Sequence, residues 1–203
     1  MIEFYTNSSG GPIVQKVLFM LHETEISYKS VEIDMNSDIE GINNLFSINP
    51  NKTVPIIKDD ETGAVVFESN AILFYLAEKA NLFLPSTEAE RIEVMKWLIF
   101  EAANFGAVMG ELYHYILKSS NELPSPHLQR YKDKMASFCG ILNDQLSGRE
   151  YICNQFSIAD MSYYPWLAIL EDLADIDISN YPNLNKWAET INNRKSQKIK
   201  YNK

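Results

Sequence analysis

Two observations place this chain in the α+β class, with a small mixed sheet first and an all-helical bundle after it. Residues 1–80 alternate short strand-like runs with longer helix-like ones, whereas from residue 87 onward apolar side chains recur at three- and four-residue intervals. Charge divides at the same point. Residues 1–80 carry five basic and twelve acidic side chains, residues 81–203 thirteen and fifteen. The domain reading is therefore 1–80, a linker over 81–86 that contains Pro85, and a helical domain over 87–203.

Each element has a local reason. "IEFY" (2–5) is a strand; after a Gly-Gly-Pro turn, Val14, Val17, Leu18 and Leu21 fall at helical spacing, and "SYKSVEID" alternates as a second strand. A short helix over Ile39–Phe46 follows, then the strand "VPIIKDD", a Glu-Thr-Gly turn, the strand "AVVF" and the helix "SNAILFYLAEKA", which Ser69 can N-cap. The order is β-α-β-α-β-β-α, which predicts a right-handed parallel crossover followed by a hairpin, with helices on both faces. Helices are expected near 87–118, 125–147, 157–173 and 181–193. In "FSIADMSYYPWL", Ser157 and Asp160 stand three apart before an apolar run, so each can bond the other's backbone N–H as a capping box.

Composition excludes several classes of function. The chain has 203 residues, 46% of them hydrophobic and 12% aromatic, ample for a packed core, and a net charge of −9 that disfavours a nucleic-acid partner. No apolar run approaches the ~20 residues of a membrane span, and "MIEFYTNSSGG" lacks the pattern of a signal peptide, so a cytoplasmic location without membrane contact is expected. Cys139 and Cys153 form no CxxC pair and read as reduced core thiols. His22, His114 and His127 are scattered, so no metal site and no resident cofactor are expected.

"NKTVPIIKDD" puts Pro55 at the mouth of an apolar strand. Proline has no N–H for a sheet and belongs at a strand's first residue, at a bulge or on an edge. With "FESNAILFYLAEK", "FSIADMSYYPW" and "YPNLNKW" in order along the chain, this motif resembles the cytosolic glutathione S-transferases over essentially the whole length. "KWLIFEAANFGAVMGELYHY" and the "NPN…VP" form are most similar to the bacterial Nu-type members, which are glutathione-dependent disulfide reductases and peroxidases.

The resemblance implies a thioredoxin-like first domain in which Val54-Pro55 is cis, turning the Val54 N–H and C=O outward so that glutathione docks there as an added strand. Ser69 at a helix start would receive the γ-glutamyl carboxylate, and Glu68 the α-amino group. Many relatives have a lysine immediately before the Val-Pro pair; here Thr53 stands there and Lys52 one step earlier. Lys52 is either the partner of the glycyl carboxylate or an ordinary solvated charge.

The thiolate-stabilising group of the family lies just after the first strand, here "TNSSGGPIVQK". No cysteine occurs in that stretch, and Tyr5 reads as core. Its donors are Thr6, Asn7, Ser8 and Ser9, with backbone N–H groups beyond Gly10-Gly11. Ser9 is the first choice, then Ser8, with Asn7 assisting; the alternative is a simple polar turn before Pro12. The resemblance implies a second-substrate pocket lined from Phe105, Met109, Tyr113 and Tyr164, with His114, Tyr163 and Trp166 near them, although an aromatic stripe at helical spacing is also the mark of a core. Ala107 and Glu111 stand where the Nu type tends to have Pro and Gln.

The expectation is a homodimeric glutathione transferase acting on a hydrophobic electrophile. The alternatives are glutathione-dependent reduction of a small disulfide or a peroxide, and a non-catalytic glutathione-binding or regulatory protein, since a fold does not fix a function.

Overall fold

Strand β1 (Ile2–Thr6) lies at the centre of the first unit, with β2 (Tyr28–Glu32) parallel on one side and β3 (Ile56–Asp59) antiparallel on the other. Strand β4 (Val65–Phe67) pairs antiparallel with β3, giving a sheet of order β2-β1-β3-β4 among the described residues. The computed structural model describes residues 1–7, 10–34, 37, 39–118 and 125–198. Helix α1 (Pro12–Thr24) forms the parallel crossover, α2 (Ile39–Ile48) precedes the hairpin, and α3 (Ser69–Ala80) follows it. This is the predicted order of elements.

Alternation along the strands decides which face meets which helix. Ile33 and Ile56 form a cluster with Tyr5, Val54 and Phe67, to which α2 adds Ile42 and Ile48. The opposite face presents the wholly buried Ile2, Phe4 and Ile57, covered by α1 and α3, which pack on one another. The far end of the hairpin is tied to α3 by polar groups. Tyr75 donates to Asp59 Oδ2 at 2.6 Å, Lys79 Nζ lies 2.9 Å from the same oxygen and also pairs with Glu61.

The second compact unit spans Pro85–Arg194. Thr87 caps α4 (Glu88–Phe100), its hydroxyl accepting from the Glu90 N–H at 3.4 Å. The single helix expected over 87–118 is instead interrupted twice: a π-helical turn over Glu101–Phe105 precedes α5 (Gly106–Tyr113), and another follows over His114–Lys118. A π turn leaves no mark on hydrophobic periodicity distinct from an ordinary helix, hence the difference. Next come α6 (Ser125–Gln145), α7 (Ile158–Tyr163), a 3-10 stretch over Tyr164–Ile169 containing Pro165, then α8 (Leu170–Ala174) and α9 (Pro182–Asn192).

The capping box at α7 is present: Ser157 N–H donates to Asp160 Oδ2 at 2.9 Å, and the Ser157 hydroxyl accepts from the Ala159 N–H at 3.3 Å. Asp160 also binds further afield, its Oδ1 accepting from the Ile152 N–H at 3.0 Å and from Trp187 Nε1–H at 2.8 Å. Cys139 and Cys153 are free and buried, and burial pushes both thiols up to about 12.

One boundary differs from the reading of the sequence. The 3-10 turn Lys195–Lys198 groups with Met1–Leu84 rather than with the helical unit. Ser196 explains it: the residue is buried, and its hydroxyl donates to Glu23 Oε1 of α1 at 2.5 Å.

Candidate functional site

Strand register brings three separated stretches of chain to one end of the sheet. Tyr5 of β1 and Phe67 of β4 both stand opposite Ile56 of β3. From that row the chain continues at the same end of the sheet into Thr6-Asn7 after β1, out of Val54-Pro55 before β3, and into Glu68-Ser69 after β4. The Val54-Pro55 bond is cis, as expected. Pro55 is buried and Val54 half-buried. The Asn49–Thr53 loop that leads into this corner is closed from within by the buried side chain of Asn49.

At the start of α3 the structure revises the role given to Ser69. Glu68 occupies the N-cap position and Ser69 is the first helical residue, buried at 8% exposure. Glu68 has φ 68° and ψ 116°, a conformation that non-glycine residues rarely adopt, and such strain concentrates at functional sites. Its side chain is exposed, so the carboxylate stands free of the fold beside a helix N-terminus.

The loop after β1 is organised around Gly10. Its backbone has φ +53°, its N–H donates to the Asn7 carbonyl at 3.4 Å, and its carbonyl accepts from Gln15 Nε2 at 2.9 Å. Gly11 is the N-cap of α1 and Pro12 its first residue, so the helix start lies just past this loop. Asn7 is half-buried, and its carbonyl also accepts from the Thr6 hydroxyl at 3.4 Å. Ser8 and Ser9, the foremost thiolate-stabilising candidates, lie outside the described residues. Tyr5 donates to Glu3 at 3.2 Å, with Lys58 Nζ 5.1 Å from its ring centroid. Lys52 and Thr53 are both exposed, and Lys52 has φ 60°.

The second-substrate set divides on burial. Phe105 and Met109 have no exposed surface and belong to the core of the helical unit. Phe105 packs edge-on against Tyr163, ring centroids 5.4 Å apart. Tyr163 is itself wholly buried and Trp166 nearly so. Tyr113 and Tyr164 are half-buried, and Tyr164 donates to Asn192 Oδ1 at 3.2 Å. His114 is exposed.

Reading the sequence missed Gln15, Asn49 and Glu101. Gln15 and Asn49 look like ordinary polar residues of a helix start and a loop; a signal for Asn49 was its place just ahead of Pro50 and the Val-Pro pair, where an Asx-turn is favoured.

These features define a thioredoxin-like domain with a cis-proline corner, joined in sequence to a helical domain, and the comparisons agree. The family patterns "Glutathione S-transferase, N-terminal domain" and "Glutathione S-transferase, C-terminal domain" match residues 10–79 and 125–190. A glutathione S-transferase domain-containing protein of Dictyostelium discoideum is 35% identical over 96% of this chain and 78% of its own length. The chain belongs to the glutathione S-transferase family. The disulfide-bond oxidoreductase YfcG of Escherichia coli is 28% identical over 96% of this chain and 91% of its own. A crystal structure of a Pseudomonas putida glutathione transferase, with one glutathione disulfide bound per subunit, superposes with a TM-score of 0.85 at 26% identity, covering 98% of this chain and 92% of that one. No described helix is long and apolar enough to cross a membrane.

Proposed function

We propose that the chain is a glutathione-dependent enzyme that holds the tripeptide across the Val54-Pro55 corner and the start of α3 and stabilises its thiolate for attack on an electrophilic small molecule. The observation that supports this reading is that Thr6-Asn7, Val54-Pro55 and Glu68-Ser69 all adjoin one row of the sheet, formed by Tyr5, Ile56 and Phe67. Val54 offers main-chain groups to an extended peptide. Ser69, at the N-terminus of α3, suits the γ-glutamyl carboxylate, and Glu68 suits the α-amino group. Thr53 and Lys52 flank the glycyl end.

A thiol with an ordinary pKa near 8.5 is a few per cent ionised at neutral pH, so the loop after β1 must favour the anion. Ser9 leads that role, then Ser8, with Asn7 assisting. Tyr113 and Tyr164 are the residues of the expected second pocket that keep exposed surface. The protein works as a homodimer on this reading, as the family resemblance implies.

A second reading is favoured by the likeness to YfcG and to a transferase holding glutathione disulfide: reduction of small disulfides, in which two glutathione molecules supply both sulfurs and leave as glutathione disulfide. The two are separated by turnover on an aryl halide against turnover on a small disulfide. Glutathione binding by calorimetry and ultraviolet titration of the bound thiol test the common core. A lowered thiol pKa that rises again in Ser9→Ala supports thiolate stabilisation by Ser9; no binding at all overturns the assignment, and binding with neither turnover points to a non-catalytic protein.

A further inference from the structure

The loop Asn49–Thr53 is organised by one side chain. Asn49 is 1% exposed, and its amide works in two directions at once. Oδ1 accepts from the Asn51 N–H at 3.0 Å, while Nδ2 donates to the Thr53 carbonyl at 2.8 Å and lies 3.4 Å from the Thr53 hydroxyl. The Asn49 carbonyl closes the turn by accepting from the Lys52 N–H at 3.0 Å. That turn carries Lys52 at φ 60°, a left-handed conformation that a lysine adopts when its surroundings impose it.

The Thr53 carbonyl and the Val54 N–H belong to one planar peptide unit, and in a trans unit they point to opposite sides. Holding the carbonyl inward on a buried amide therefore turns the N–H outward. Among the described residues no hydrogen bond engages that N–H. Pro55 lends no N–H of its own to a docking peptide, which leaves the Val54 N–H as the donor at this corner.

We infer that Asn49 is a positioning residue for glutathione: through its bond to the Thr53 carbonyl it aims the Val54 N–H at the docked peptide. The inference rests on the glutathione reading above and adds to it a residue that does not touch the ligand. It also sorts the polar residues of the loop. Asn51, Lys52 and Thr53 present exposed side chains, whereas Asn49 acts from beneath.

Asn49→Asp tests it selectively. A carboxylate still accepts from the Asn51 N–H but repels the Thr53 carbonyl, so the first bond survives and the second is lost. Calorimetric titration with glutathione, well below the melting transition, is expected to show about tenfold weaker binding at pH 7. Acidification should narrow the ratio of variant to parent affinity towards one as pH approaches about 4, because the protonated acid regains a donor for the Thr53 carbonyl. A purely structural role predicts instead a lowered Tm with unchanged affinity in the folded protein, and that result overturns the inference.

Amide hydrogen exchange in the parent keeps the question answerable should the variant not fold. Glutathione is expected to protect the Val54 N–H; calorimetric binding without that protection also overturns the inference. A parent that binds no glutathione refutes the site assignment itself, a distinguishable failure.

Discussion

Trp166 donates its indole N–H to Glu101 Oε1 at 2.7 Å inside the helical unit, where Glu101 is 1% exposed. The contact needs a neighbour without a side chain. A Cβ on Gly106 would stand 2.4 Å from that same oxygen and 3.3 Å from the Glu101 backbone carbonyl. Gly106→Ala is therefore expected to displace a buried carboxylate and break its bond to the indole, costing about 1–3 kcal/mol despite alanine's better helix propensity. Thermal unfolding checks this at roughly 2–4 °C in Tm per kcal/mol. An unchanged or raised Tm would show that Glu101 has room to move.

Glu68 carries strain that glycine would relieve. Glu68→Gly is expected to stabilise the protein by about 1 kcal/mol, the positive-φ cost being partly offset by glycine's larger unfolded-state entropy. Glutathione binding should weaken in the same variant, because the carboxylate offered to the α-amino group is gone. Calorimetry and thermal unfolding, run side by side, should move in opposite senses; a fall in both would refute the strain argument.

Asp59 and Asp160 give stability opposite slopes with pH. Burial by itself would raise the Asp59 carboxyl, but the Tyr75 O–H, Lys79 and the Glu61 N–H outweigh it and hold the pKa at about 2. This value lies below the unfolded one near 3.9, so the group stabilises the fold above about pH 4 and loses that contribution as pH falls towards 2. Tyr75→Phe removes one of the bonds, and its acid-unfolding midpoint should shift to higher pH. An unshifted midpoint would mean that Lys79 and the backbone suffice.

Asp160 goes the other way. Burial pushes its carboxyl up to about 6 despite bonds from Ile152, Trp187 and Ser157. Its contribution is thus complete below about pH 4 and declines as pH rises through 6. Asp160→Asn, which cannot ionise, should be less stable than the parent by about 1–3 kcal/mol near pH 4, since its amide N–H group meets a donor. The gap should narrow by pH 7. Urea denaturation at the two pH values measures it, and a gap that widens would refute the assigned direction.

Much of the architecture could be read before any coordinates. The order β-α-β-α-β-β-α and the capping box of Ser157 and Asp160 follow from local residue patterns, and the cis corner at Pro55 from the family resemblance. What escaped depends on partners far away along the chain. Asp160 looks like a local cap until Trp187, 27 residues on, is seen to share it. Ser196 looks like an ordinary polar residue after the last helix until it meets Glu23, 173 residues earlier. Phe105 and Met109 show the limit of aromatic spacing, which does not say whether a stripe faces a core or a cavity. Ser69 missed its cap role by one position, because where α3 begins is decided by how β4 turns at Glu68.

The hairpin and α3 are joined twice: through the chain at Glu68-Ser69, and at the far end through Asp59, Tyr75 and Lys79. Two struts bolted at both ends make a truss. On the glutathione reading, a gap between corner and helix tip braced in this way leaves less freedom to be frozen when the tripeptide docks.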